Sequence, residues 1–405
     1  MSLHITAVSN EPLYPNRVVP RTLIDILEVL ENCNIQITLV QPGSREWESN
    51  ENSFRVVTFL RTPSYFKSFF KALERSNGSL FKALASFLNP TIYPILFRLS
   101  KSSDVIMCYE ITYSIPVILV AKITRKPVIL LGDILYISYF RKAKFATSML
   151  MRLLLIWEKS AESLVNRIAV WGRDDERFLV LSGICKEKIR IIPLSIDLEK
   201  IELMSKKHNN ELSFRMLNAF KGKGFKILMF HGTLEYGPNK SCVEYIVDEL
   251  APKMLQKYDN VIFAIVGAHS NRIIPTDKRI VFTGYVDNLF SIVNLADIGI
   301  VPLTSGTGVK NKVLEYFALS KPVVTTEIGA ENLDVTNMFH CIITDIETFP
   351  DKVLYLLDNP TQSVAIGQNG RDYVQENHQL KNYERYIELA RVLLKSKIKN
   401  ARTSK

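Results

Sequence analysis

Cysteine is scarce in this chain: Cys33, Cys108, Cys185, Cys242 and Cys341 are the five among 405 residues. No two stand at metal-ligand spacing, and an odd, scattered set in a long chain is not a disulfide framework. They read as reduced thiols, mostly buried as small hydrophobes, in a cytoplasmic protein. The start, Met1-Ser-Leu-His-Ile-Thr-Ala-Val-Ser-Asn10, lacks the basic stretch and apolar core of a secretory leader. Long apolar runs are missing too. Residues 115–123 contain Pro116 and are cut by Lys122, and Arg152 interrupts residues 148–157. Neither reaches the roughly 18 residues that a spanning helix needs. There is no internal repeat or low-complexity segment. Lys221-Gly222-Lys223-Gly224 lacks the spacing of a phosphate-binding P-loop and reads as a solvated turn. A dinucleotide fingerprint would require a third glycine after Gly306 and Gly308, but that place holds Asn311, which excludes a dinucleotide-dependent oxidoreductase.

What is present is a globular composition, 47% hydrophobic and 23% charged. The length calls for two domains. We set them at residues 1–198 and 199–380, followed by a C-terminal helix and basic tail over 381–405. The net charge of +10 favours anionic partners: nucleic acid, anionic lipid or a phosphorylated substrate. No nucleic-acid recognition motif accompanies the charge, so nucleic acid is set aside.

One stretch organises the rest: Gly299-Ile-Val-Pro-Leu-Thr-Ser-Gly306-Thr-Gly308-Val-Lys310-Asn-Lys312-Val-Leu-Glu315-Tyr-Phe-Ala-Leu-Ser-Lys321-Pro322-Val-Val-Thr-Thr326. Residues 296–303 form a short apolar run bounded by turn residues, as a buried parallel strand does. Val309, Val313, Leu314 and Phe317 share a helical face across 309–319, Pro322 ends the helix, and the β-branched residues 323–326 make the next strand. Between the first strand and the helix, Gly306 and Gly308 remove side chains where a helix N-terminus offers unpaired amides, which suits an anion. Lys312 falls about one turn into the helix and Glu315 about one turn further, so both can project from one edge. A cation beside phosphate and a carboxylate beside sugar hydroxyls are what a nucleotide-sugar requires. A plain βαβ unit with a solvated Lys–Glu pair fits the spacing equally well.

The order of residues from Gly306 to Thr326, continued by Ile328-Gly329-Ala330-Glu331-Asn332-Leu333, closely resembles the donor-binding signature of the retaining group 1 (family 4-like) glycosyltransferases. The resemblance implies an α/β chain of the GT-B fold: two Rossmann-like domains facing each other across a cleft, an N-terminal one for the acceptor and a C-terminal one for the donor, with the C-terminal helix packing back on the first. It implies that Lys312 contacts the donor diphosphate, that Glu315 takes the ribose hydroxyls, and that the amides of Gly306, Thr307 and Gly308 hold phosphate. Gly232, in His231-Gly232-Thr233, would admit the donor closely, Lys240 would add positive charge nearby, and Tyr285 and Val286 would line the nucleobase site. Asp133, after the strand over 127–131, and Lys312 are the catalytic candidates; Arg17 and Glu110 are the acceptor candidates. No metal and no other cofactor is implied.

The departures from the family pattern are specific. Many members carry a Glu eight positions before Glu315, where this chain has Thr307; a Gly-Gly pair where it has prolines between Ser9 and Pro20; an Arg where it has Thr233; and a His beside the position of Asp133.

The reaction expected is transfer of a sugar from a nucleotide-diphosphate sugar to a hydroxyl of a glycan or lipid-linked saccharide, with retention at the anomeric carbon. The alternatives are a nucleotide-sugar epimerase of the same fold and a non-catalytic anion- or membrane-binding protein. Residues 64–102 interleave Tyr65, Phe66, Phe69, Phe70, Phe81, Phe87, Tyr93 and Phe97 with Lys67, Lys71, Arg75, Lys82, Arg98 and Lys101, a composition shared by basic amphipathic helices on anionic membranes and by ordinary cores. The location expected is cytoplasmic, with peripheral contact to the cytoplasmic face of a membrane.

Overall fold

The computed structural model describes residues 3–9, 21–43, 47–51, 54–60, 89–109, 114–131, 160–207, 209–268, 277–306 and 308–403. The chain divides into two compact units: Met1–Leu194 together with Leu380–Lys405, and Ser195–Gln379.

The first unit is built on an eight-stranded sheet in the order β3-β4-β2-β1-β5-β6-β7-β8. The strands are β1 (His4–Val8), β2 (Gln36–Gly43), β3 (Trp47–Glu51), β4 (Phe54–Leu60), β5 (Val105–Tyr109), β6 (Val128–Leu131), β7 (Arg167–Val170) and β8 (Ile189–Ile191). Every neighbouring pair is parallel except β3 with β4, which is antiparallel. The apolar sequence of β5 and β6 follows from this, because strands covered on both faces bury every side chain, and the two polar side chains buried in β1, His4 and Thr6, bond to Thr38 and Ser103. Helices α1 (Arg21–Asn32), α2 (Ile92–Ser102) and α3 (Ser114–Thr124) connect strands in this unit. Pro116 does not break α3. It lies in the first turn, where no intrahelical acceptor awaits its missing N–H. Asp174, Asp175 and Glu176 occupy the first turn of α4 (Arg173–Leu181), where carboxylates oppose the positive end of the helix dipole.

The second unit carries a six-stranded sheet, β11-β10-β9-β12-β13-β14, and all of its pairs are parallel. Its strands are β9 (Lys226–His231), β10 (Val261–Val266), β11 (Ile280–Gly284), β12 (Ile298–Val301), β13 (Val323–Thr325) and β14 (Ile342–Ile343). From β9 the chain builds outward to one side through β10 and β11. It then returns to place β12 on the other side of β9, with β13 and β14 beyond. The reversal lies between β9 and β12, and an open α/β sheet binds its ligand at the carboxyl ends of the strands flanking such a reversal. The residues there are His231, the last of β9, Gly232 just after it, and the glycine turn after β12.

Helix α5 (Leu198–Lys206) lies near the start of the second unit, and two more helices matter to the site, α6 (Gly237–Tyr245) and α7 (Asn311–Ala318). Helix α6 begins at Gly237, because Pro238 fits the first turn, with its φ already helical and no donor to lose. Core residues lock α7 onto the sheet. Val313, Leu314, Tyr316 and Phe317 are fully buried, and the Tyr316 hydroxyl donates to the Met229 carbonyl of β9 at 2.7 Å. Gly299 on β12 makes room for that ring, since a Cβ there would stand 2.7 Å from Tyr316 carbons.

The C-terminal residues cluster with the first unit. They form a 3₁₀ turn over Leu380–Glu384 and then α8 (Arg385–Thr403), with Tyr383, Tyr386 and Ala390 fully buried. Among the described residues no helix is long and apolar enough to cross a membrane. Most of the aromatic and basic segment 64–102 lies outside the described residues. In α2, Ile92, Leu96 and Leu99 are buried, Tyr93 packs against the core, and Phe97 is 40% exposed beneath the Lys101 ammonium, 4.8 Å from its ring centre.

Candidate functional site

Three pieces of the second unit converge at the carboxyl end of β9: the strand end itself, the first turn of α6, and the glycine turn leading into α7. At the strand end Phe230 and His231 are buried, and Gly232 adopts φ +152°, a conformation that favours glycine. The amide of Gly232 donates to the Val266 carbonyl at 3.0 Å, which fixes this end against β10. Gly267 lies so close that a Cβ on it would be 1.9 Å from the Gly232 carbonyl oxygen. Close backbone approach therefore requires the glycine at 267, whereas Gly232 is required by its φ and by the Asn239 and Lys312 side chains beside it. Only Gly232 was legible in the sequence as a site residue.

The glycine turn uses its missing side chains as expected, with Gly306 at φ +106° and Gly308 at φ +74°. A Cβ on Gly306 would touch Pro238 of α6 at 3.5 Å. Lys310 stands at the N-cap position of α7 and makes no side-chain capping bond there. Its ammonium turns back to the Gly308 carbonyl and lies 3.7 Å from the Glu331 carboxylate, bracing the turn from behind. The start of α7 therefore has no side-chain cap, and the positive end of the helix dipole lies there. Thr307, proposed as a phosphate contact, lies outside the described residues.

Lys312 and Glu315 both project to the end of β9. The Lys312 ammonium lies 3.2 Å from where a Gly232 Cβ would stand and 4.0 Å from the centre of the Phe230 ring. It donates to Asn239 Oδ1 at 2.7 Å. Burial pulls its pKa down to about 8; Cys242 and Glu315 oppose that shift and Lys310 adds to it. Burial holds the Cys242 thiol protonated up to about pH 12, so near neutrality the countercharge at Lys312 is Glu315. The Glu315 carboxylate lies 3.6 Å from Nε2 of His231. That imidazole is 2% exposed and packs edge-on to Tyr316. Burial, with Lys312 nearby, lowers its pKa to about 3, so His231 is neutral at physiological pH and is not an acid–base group for a reaction there.

Asn239, Phe230 and Glu331 were not singled out from the sequence. Asn239 had one visible signal, its place in the Pro238-Asn239 pair that opens α6; Phe230 is indistinguishable from any other strand residue. Lys240, expected to add charge to the site, is half exposed and pairs instead with Glu244 at 3.8 Å. Of the two residues proposed for the nucleobase, Val286 is buried, whereas Tyr285 is 75% exposed and offers a free ring face beyond β11. Arg17, Glu110 and Asp133 follow the carboxyl ends of β1, β5 and β6 in sequence and lie outside the described residues. Among the described residues no group of three His, Cys, Asp or Glu side chains could hold a metal ion.

Known proteins share this architecture. Residues 225–359 match the family model described as glycosyl transferases group 1, a span that contains β9, both glycine positions of the turn, Lys312 and Glu315. No curated protein sequence matches the chain. Solved structures do. HepE of Anabaena, crystallised with UDP and glucose, is similar with a TM-score of 0.68 at 12% identity over 95% of this chain and 98% of its own. Sucrose-phosphate synthase of Thermosynechococcus elongatus gives 0.69 at 14% over 97% and 100%. The α,α-trehalose 6-phosphate synthase of Burkholderia multivorans gives 0.70 at 12% over 100% and 98%. At such identities the likeness is one of fold, and the fold is GT-B.

Proposed function

We propose that this GT-B chain, a glycosyltransferase whose second unit carries a group 1 domain, transfers a sugar from a nucleotide-diphosphate sugar to the hydroxyl of a glycan or lipid-linked saccharide with retention of anomeric configuration. The observation that supports it best is the meeting of Lys312, Glu315 and the uncapped start of α7 at the sheet's reversal point. The diphosphate takes the amides of the glycine turn and the Lys312 ammonium, while Glu315 accepts hydrogen bonds from the ribose hydroxyls. UDP-sugars are the first donors to examine, because HepE, of the same fold, was crystallised with UDP and with UDP-glucose.

In the reaction proposed, the bond from the anomeric carbon to the diphosphate oxygen breaks as the acceptor oxygen bonds to that carbon from the same face. The acceptor proton passes to the departing phosphate. The main demand is stabilisation of charge building on the leaving oxygen, which fixed amides, a helix N-terminus and one ammonium meet without reorganisation. His231, neutral and turned to Glu315, acts through that carboxylate and not as a nucleophile. In this reading Asp133 contacts the reacting sugar, and Arg17 and Glu110 contact the acceptor. The enzyme works in the cytoplasm, with peripheral attachment where the acceptor is lipid-linked.

Incubation with UDP-, GDP- and dTDP-sugars, with and without saccharide acceptors, tests the proposal. Acceptor-dependent release of nucleoside diphosphate supports it. Interconversion of the donor with no acceptor present would make the chain an epimerase instead.

A further inference from the structure

Before any substrate arrives, the Lys312 ammonium already has a fixed seat. Its hydrogen bond goes to Asn239 Oδ1 at 2.7 Å, and the Asn239 amide is itself tied down, with Nδ2 donating to the Thr233 carbonyl at 2.9 Å. The second bond settles which way the amide faces, since only the nitrogen can donate to a carbonyl. The oxygen is thereby committed to Lys312. Space for this arrangement comes from Gly232: a Cβ there would stand 2.9 Å from Asn239 Nδ2 and 3.2 Å from Lys312 Nζ, close enough to push both side chains from these positions. Pro238, in the first turn of α6, holds the backbone that carries Asn239, and Asn239 is buried.

We propose that Asn239 is a positioning residue for the diphosphate-binding cation: its anchored amide oxygen keeps the Lys312 ammonium charged and aimed along the Gly232 surface until a phosphate oxygen arrives there. The diphosphate part of this rests on the donor-site reading given above; the seating of Lys312 does not. The need for such a residue follows from burial. An ammonium out of water must be solvated by the protein or lose its proton. The groups facing Lys312 are Phe230 and His231 from β9, Asn239 and Cys242 from α6, and Lys310 and Glu315 from α7 and the turn before it. His231 and Cys242 are uncharged near neutrality, and Lys310 offsets part of what Glu315 contributes at this position. Besides Glu315, a neutral ring and one amide oxygen remain to favour the charged form, and the amide oxygen makes the short contact. A neutral seat also takes nothing further from the ammonium's charge before an anion arrives, which a carboxylate in its place would.

Protein labelled with ¹⁵N-lysine allows a direct test without ligand, by following the Lys312 Nζ resonance against pH and assigning it by its loss in Lys312→Arg. In Asn239→Ala the midpoint should fall by about one pH unit relative to the unsubstituted protein, about a tenfold weaker hold on the proton. In Asn239→Asp it should rise. Asn239→Ser, with a smaller acceptor, should fall between alanine and the unsubstituted protein, and it serves if the alanine variant does not fold. UDP binding gives the second readout. Its affinity should fall at high pH with a midpoint that tracks Lys312 in each variant, and Asn239→Asp should bind UDP more weakly than the unsubstituted protein at every pH despite its more persistent ammonium. A Lys312 midpoint unmoved by Asn239→Ala or Asn239→Ser would overturn the proposal, because a merely structural asparagine would change stability without changing that titration. A midpoint that moves while UDP binding ignores it would uphold the seat and remove the diphosphate from it.

Discussion

His231 Nε2 and the Glu315 carboxylate lie 3.6 Å apart, the first at the end of β9 and the second in the middle of α7. The pair joins a buried neutral imidazole to the carboxylate assigned to the ribose. Its two members are expected to fail differently when altered. Glu315→Gln keeps the shape and removes the charge. A charge-assisted hydrogen bond is worth about 1.5–3 kcal/mol, so the apparent donor KM should rise by roughly ten- to a hundredfold, with kcat changing less. Steady-state kinetics against donor concentration check this; an unchanged KM would place the ribose elsewhere.

Acid stability should report His231. Its folded pKa, about 3, lies below the ordinary value of 6.5, so between these values the unfolded chain binds a proton that the native protein does not. Stability is therefore complete above about pH 6.5 and declines as pH falls toward 3, by up to about 1.4 kcal/mol per pH unit from this group. Urea unfolding at pH 7 and pH 5 should show a smaller loss in His231→Gln than in the unsubstituted protein, whatever the variant's stability at pH 7.

Lys312 titrates at the other end of the range. Its folded pKa of about 8 is below the usual 10.5, so the unfolded state holds the extra proton between these values and stability from this group rises with pH across that window. Nucleotide affinity has the opposite slope, because the ammonium that the diphosphate needs is lost above about pH 8. Calorimetric titration of UDP from pH 7 to pH 9.5 should show this decline, and Lys312→Ala should abolish both the decline and sugar transfer while the melting temperature stays close to that of the unsubstituted protein.

Strand, turn and helix were legible around the donor signature because each carries its own local rule. The β-branched run of β13, the glycines at positive φ and the buried face of α7 all follow from residue chemistry. What could not be read were contacts between elements distant in sequence. Asn239 meets Lys312 from another βα unit, and Gly267 is a glycine because of Gly232, with nothing local to announce either. Lys240 looked like a site cation by position alone, yet a glutamate one helical turn on takes it.

The glycine turn supplies a further check. Gly306 holds φ +106°, where an L-residue is strained. Gly306→Ala should cost about 1–3 kcal/mol of stability and should weaken UDP binding more than Tyr285→Ala, whose side chain stands largely in solvent. Chemical unfolding and the same calorimetric titration separate the two effects.

The central claim is tested most directly by a crystal structure of the complex with UDP or a UDP-sugar. The account predicts diphosphate density at the start of α7, within hydrogen-bond reach of the Gly306 and Gly308 backbone and of Lys312 Nζ, with Lys312 withdrawn from Asn239 and ribose hydroxyls on Glu315. A nucleotide bound away from this turn, with Lys312 still seated on Asn239, would contradict it.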